Sequence, residues 1–349
     1  MADKRPLIYG ANGYTGELIA REAVRRGLRP ILAGRNREAV EKLASELGCP
    51  ARVFDLEKPP TEHLRDVAAV LHCAGPFVRT AKPMMEGCLA AGASYLDITG
   101  EIEVIEMAAD SDARAKQANV SLLPAVGFDV VPTDCLAAML ADRLQNAERL
   151  ELAFTGPGGL SRGTALTMLE SMPDAGRARI NGRIEKVPVA WKVKQIPFHD
   201  RPRWAMTVPW GDVASAYYST GIPNIEVYVA VPRKQITWLK RMRFVLRLVR
   251  LPGVRSIAAG IIRRRVKGPS EAEREVLRSE FWGCVSRGSE HVAATMETAS
   301  GYKLTVLTAT SALERVLAGN VPRGFATPSK AFGKDFILSI PGTEFWWES

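Results

Sequence analysis

Across the first 125 residues, short apolar runs alternate with stretches whose apolar positions recur every three or four residues. The runs at 6–9, 30–33, 52–54, 68–73, 94–98 and 120–123 read as strands. The stretches at 15–26, 37–47, 82–91 and 103–117 read as helices, with Gly48 and Gly92 as C-terminal stops. This alternation predicts an α/β fold, a doubly wound parallel sheet with helices on both faces. After Asp134 the pattern changes. Residues 135–144 read as a helix, 150–232 as mixed strands with many Pro and Gly, 277–297 as two more strands, and 302–317 as a helix stopped at Gly319. All seven tryptophans lie beyond residue 190. They suit an α+β domain with a largely antiparallel sheet that grips a substrate or forms a homodimer, although core packing alone also accounts for them. The expected division is a first domain at 1–134 and a second at 135–324.

A length of 349 residues agrees with two domains. The chain is 46% hydrophobic and 24% charged, which excludes a disordered or fibrous protein. Its longest stretch without a charge is 13 residues, at 213–225, too short for a membrane span. No signal-peptide core follows the N-terminus, so a cytoplasmic location is expected. Five cysteines without CxxC spacing and four scattered histidines argue for reduced thiols and against a metal site.

The net charge is +9, yet residues 233–270 hold 12 Lys/Arg and no Asp/Glu, and the chain without them would carry −3. Nucleic-acid binding is therefore not expected. Within that segment Lys240, Arg243, Arg247 and Arg250 fall on one helical stripe beside Leu239, Met242, Val245, Leu246 and Val249. Such a helix either packs on its own domain or lies peripherally on an anionic membrane or an acidic partner.

Gly10-Ala-Asn12-Gly13-Tyr14-Thr15-Gly16 joins the first strand to the first helix. Glycines there allow a tight turn and close approach of backbone N–H groups to a pyrophosphate, at a helix N-terminus that favours anions. The spacing is G-x-x-G-x-x-G, so its position in a strand–loop–helix unit carries the assignment. An NAD site places an acid about 20 residues further on. Here the second strand runs into Gly34-Arg35-Asn36-Arg37, with no acid before Glu38. Arg35 and Arg37 suit the 2′-phosphate of NADP. Asp55, after the third strand, either accepts from the adenine amine or belongs to a surface turn.

With Ala33-Gly-Arg35, Cys73-Ala-Gly-Pro-Phe77, Tyr95-Leu-Asp-Ile-Thr-Gly-Glu101, Gly127-Phe-Asp-Val-Val-Pro132, Gly268-Pro-Ser270 and Gly324-Phe-Ala-Thr-Pro328, this loop resembles the saccharopine dehydrogenase-like oxidoreductases, including the trans-acting enoyl reductases. The resemblance implies a Rossmann-type NADP-binding domain, a second α/β domain, and a chain end, here 325–349, that returns to the first. The match to true saccharopine reductases is expected to weaken after residue 150.

In such a sheet, chemistry takes place beyond the carboxyl ends of the strands. Cys73, Ala74, Gly75, Pro76 and Phe77 leave the fourth strand there, with Phe77 placed to flank the nicotinamide. Asp97, Thr99 and Glu101 leave the fifth strand, and Asp129 follows the sixth. A carboxyl among them can donate a proton, its pKa raised by burial. Alternatively, Thr99 or Gly100 caps the next helix and Asp129 caps the one after Pro132. Gly163-Thr164, after Ser161-Arg162, reads as a helix start able to hold a substrate anion, or as a plain cap. His199 and His291 read as structural. The leading expectation is an NADP-dependent oxidoreductase acting on a C=N or C=C bond of a small or lipid-like substrate. A non-catalytic NADP-binding module and a membrane-surface protein are the alternatives.

Overall fold

The computed structural model describes residues 4–156, 163, 165–166, 169, 176–246, 252–266, 268 and 270–348. The chain forms two compact units, Met1–Val131 with Leu304–Gly333, and Pro132–Lys303 with Lys334–Ser349.

The first unit holds a seven-stranded, all-parallel sheet. Its strands are β1 (Arg5–Tyr9), β2 (Ile31–Gly34), β3 (Ala51–Val53), β4 (Val67–His72), β5 (Ser94–Asp97), β6 (Ser121–Leu123) and β15 (Gly324–Phe325), in the order β15-β6-β5-β4-β1-β2-β3. The helices α1 (Tyr14–Arg25), α2 (Arg37–Leu47), α3 (Phe77–Ala91), α4 (Ile102–Asp110) and α5 (Asp112–Gln117) connect them. Central strands are almost wholly apolar because helices cover both faces; β4 reads Val-Ala-Ala-Val-Leu-His, with five of its six residues buried. The chain reverses direction between β1 and β4, which opens a crevice at their carboxyl ends.

Helix α3 begins at Phe77, five residues before the pattern predicts, and carries Pro83 inside it. Pro83 suits a first turn and so places the start too late. The true start is set from another loop, as described below.

The domain limits also differ from expectation. The segment that returns to the first unit is Leu304–Gly333. Helix α11 (Gly301–Leu317) buries Leu304, Ala309, Ala312 and Leu313, and Arg26, at the C-cap of α1, reaches its Ser311 and Glu314 at 3.0 Å each. The short α12 (Pro328–Phe332) follows β15. The last residues do not join it: β16 (Glu344–Trp347) pairs with β14 (Glu290–Ala299) in the other sheet. That long strand offers an open antiparallel edge, and Trp346 stacks on His199 at 3.7 Å beside it.

The second unit is built on nine strands: β7 (Arg149–Phe154), β8 (Gly176–Ile180), β9 (Arg183–Val187), β10 (Val193–Pro197), β11 (Pro202–Thr207), β12 (Asn224–Ala230), β13 (Arg278–Arg287), β14 and β16. Only the β7–β12 pair is parallel. Asn181 and Gly182, both at positive φ, close the β8–β9 hairpin. Helix α6 (Val131–Arg143) approaches β13 so closely that a Cβ on Gly283 would lie 2.7 Å from Leu140. Other helices of this unit are α7 (Asp212–Thr220), α8 (Arg233–Leu246), α9 (Pro252–Arg265) and α10 (Glu271–Val276). Several tryptophans serve internal packing: Trp282 is buried in one sheet face, and Trp204 stacks under Arg233 at 4.7 Å. All five cysteines are free thiols.

Candidate active site

The loop after β1 is tied down by its own backbone. The amides of Gly10 and Ala11 donate to Ala33 O at 2.8 and 3.1 Å, and Gly13 N–H donates to Gly10 O at 2.9 Å. Two glycines are required by this packing alone. Gly10 has φ +79, and a Cβ on it would sit 2.8 Å from that of Ala74, while a Cβ on Gly16 would lie 2.2 Å from Gly10 O. Gly13 differs. It is exposed, has φ −83, and its Cβ would meet only Gly10 O, at 3.2 Å. A side chain at Gly13 would therefore project over the loop, where a pyrophosphate would lie. Asn12 is exposed beside it, and Tyr14 and Thr15 open α1 without a side-chain cap at Gly13. An uncapped helix N-terminus favours an anion.

At the end of β2, Asn36 caps α2, its Oδ1 accepting from Ala39 N at 3.2 Å. Arg37 pairs with Glu41 at 2.8 Å, and Asp55 Oδ1 accepts from Glu57 N at 3.1 Å. Arg35 is exposed and has no ion-pair partner among the described residues. Of these four residues it is the uncommitted one, and its charge is felt by the Tyr9 hydroxyl at the end of β1.

Three further loops meet at the same sheet edge and are knitted by carboxylates. Asp97, wholly buried, accepts from the Tyr95 hydroxyl at 2.6 Å, from Thr99 N at 3.0 Å and from Ala125 N at 2.8 Å. It thereby binds the β6 loop to the β5 loop. Glu101 reaches the β4 loop: its Oε1 accepts from Phe77 N at 3.0 Å and its Oε2 from Val78 N at 2.5 Å. It caps α3 from outside, which fixes the early start of that helix. Thr99 Oγ1 accepts from Glu101 N at 3.0 Å. Asp97, Thr99 and Glu101, read from sequence as reaction-site residues, thus brace the loops.

Asp129 lies at the junction of the β5 and β6 loops. It is half-buried, and a Cβ on Gly100 would lie 2.6 Å from its Oδ2, so the β5 and β6 loops abut there. Burial pushes all three carboxyls up: Asp97 to about 6 against hydrogen bonds that lower it, Glu101 to about 7 against its two amides, and Asp129 to about 7 with the Glu101 charge adding to burial.

In the β4 loop, Gly75 is exposed, Gly75–Pro76 is cis, and Cys73, Ala74 and Pro76 are half-buried. Burial and the Asp97 charge hold the Cys73 thiol protonated, which is unsuited to a nucleophile. The expectation that Phe77 flanks a nicotinamide is corrected. Its ring is buried edge-on to His72, with centroids 5.3 Å apart, because it opens α3 facing the core. His72 and Thr80 were not legible as loop-holding residues. His72 Nε2 lies 2.9 Å from Thr80 Oγ1, whose hydroxyl donates to Ala74 O at 2.7 Å, so the buried ring is the donor and is neutral, with its pKa pushed down to about 3. No spacing motif signals this pair. Gly163 is helical, whereas Ser161, Arg162 and Thr164 lie outside the described residues.

Residues 7–123 match the family described as the saccharopine dehydrogenase NADP binding domain. The human saccharopine dehydrogenase-like oxidoreductase is 28% identical over 188 residues, 46% of this chain and 44% of the relative. A Mycobacterium tuberculosis protein named as a trans-acting enoyl reductase is 32% identical over 195 residues, 49% of this chain and 46% of the relative. The matched region spans about half the length of these curated relatives. In fold, the chain is similar to the saccharopine dehydrogenase (L-Glu forming) of Saccharomyces cerevisiae, with a TM-score of 0.66 at 10% identity, covering 99% of this chain and 100% of that one. The likeness in fold therefore continues past residue 150, where the sequence match was expected to weaken.

Proposed function

We propose that this chain, whose residues 7–123 match the model of the saccharopine dehydrogenase NADP binding domain, is an NADP-dependent oxidoreductase. The reaction proposed is hydride transfer to or from a C=N or C=C bond of a small or lipid-like substrate. The residues present fit the dinucleotide: the space over Gly13 that a Cβ would fill suits a pyrophosphate, and the uncommitted guanidinium of Arg35 suits a 2′-phosphate. Bound NADPH supplies the hydride.

The observation that carries the reaction class is the Asp129 carboxyl, raised to about 7 at the edge where three loops meet. Reducing a C=N or C=C bond leaves nitrogen or carbon in need of a proton, and a carboxyl titrating near neutrality is matched to donate it. Asp129 gives that proton and regains it from solvent on its exposed side. Asp97 and Glu101 hold the loops on which this carboxyl sits. The enoyl reductase named among the relatives supports the C=C reading.

The test is NADPH binding by fluorescence, followed by loss of NADPH absorbance with a panel of preformed imines and of enoyl thioesters. Turnover with one class and not the other selects the bond. Tight NADPH binding without turnover on either supports the binding-module reading instead.

A further inference from the structure

The acid-free segment 233–270 takes a more definite form in the fold than a single basic stripe. It contains two helices, α8 and α9. Arg247 and Arg250 of the expected stripe lie outside the described residues, as does the Arg243 side chain. Helix α8 is anchored by Ile236, buried with Ala190 and Met206, and by Leu239 packed against them. Its Trp238 points away and is 56% exposed.

Helix α9 presents Val254, Ile257 and Ile261, which are 40%, 68% and 53% exposed. Their spacing of three and four residues puts them on one face. Ala259 and Ile262, off that face, are half-buried. Arg264 and Arg265, both exposed, stand three and four residues beyond Ile261 and so flank the apolar stripe on either side. An apolar stripe bordered by exposed arginines is a helix dressed for an interface, with side chains able to enter acyl chains while guanidinium groups stay at headgroup level.

We propose that this face docks the protein on an anionic lipid bilayer, with Ile257 and Ile261 inserted at the interface and Arg264 and Arg265 held by lipid headgroups. The charge argues for this occupant. Twelve Lys/Arg without one Asp/Glu complement a negative surface and would repel the same face of a second copy. Exposed isoleucines have no role against nucleic-acid phosphates. No described helix is long and apolar enough to cross a membrane, so the contact is peripheral.

The test is flotation of the full chain with vesicles of phosphatidylcholine alone or with added phosphatidylserine, across a salt series. Binding is expected to be much stronger with phosphatidylserine, weakening steeply with salt to a small residual level. The pair Arg264→Glu and Arg265→Glu should lower affinity at least about tenfold. The pair Ile257→Ser and Ile261→Ser should remove the residual binding that survives high salt. Circular dichroism and melting midpoints equal to wild type would certify both variants as folded. No binding to anionic vesicles at low salt, or equal binding by wild type and both folded variants, would overturn the proposal. A wild-type dimer in sedimentation that the isoleucine pair dissociates, without vesicle binding, would assign the face to a second copy and equally overturn it.

Discussion

Replacing Asp129 by Asn separates the cost of holding its carboxyl from the use made of it. The native carboxyl is raised from 3.8 to about 7, chiefly by burial and then by the Glu101 charge. A folded-state pKa above the unfolded one means that the native state holds the proton more tightly. The associated stability is complete below about 3.8 and is lost as pH rises through about 7. At about 1.4 kcal/mol per tenfold change, full desolvation would cost ~4 kcal/mol. Solvent reaches the half-buried group, and screening reduces this to ~2 kcal/mol. Asparagine cannot ionise, so the variant escapes that decline. Urea unfolding followed by circular dichroism, at about pH 4.5 and about pH 8.5, should show the variant gaining ~2 kcal/mol on wild type between the two conditions. The same substitution should lower NADPH turnover by roughly 10²–10⁴ while leaving cofactor affinity unchanged. Parallel stability profiles would mean that Asp129 is not held above its ordinary range, and the proton-donor assignment would lose its physical basis.

Arg35→Ala should weaken NADPH about 10- to 100-fold, the value of charge-assisted hydrogen bonds to a phosphate, and leave NADH nearly unchanged; equal losses in titrations with both cofactors would show that Arg35 does not read the 2′-phosphate. Gly13→Val should abolish NADPH binding with the fold retained and only a small fall in melting temperature, whereas Gly16→Ala should lower it much more, because its Cβ would lie 2.2 Å from Gly10 O. Glu101→Ala should destabilise by ~1–2 kcal/mol through loss of the α3 cap, with Glu101→Gln recovering part of it through its one amide oxygen. Thermal melts of the two variants against wild type check this.

The sequence by itself determined the parallel sheet. Strands buried on both faces must be apolar throughout, and β4 and β1 announce themselves for that reason. It also determined the glycine turn after β1, because a positive φ at Gly10 and a contact as close as Gly16 to Gly10 O admit only glycine. Glycines are visible in a chain whatever its fold. The uncommitted state of Arg35 was not visible, since the commitments of Arg37 to Glu41 and of Asn36 to its helix are side-chain geometry.

What only tertiary structure decided are the roles of the carboxylates. Asp97, Glu101 and Asp129 look alike as acids after strands. Asp97 holds Ala125, 28 residues away, and Glu101 caps a helix that begins 24 residues before it. Neither partner offers more than a backbone amide, which carries no residue-type signal. The same holds at the chain end, where an edge strand chooses its sheet by the open edge it meets: β15 adds to β6 and β16 to β14. Local pattern specifies which residues are strand-like, and backbone hydrogen bonding between distant strands decides where they go.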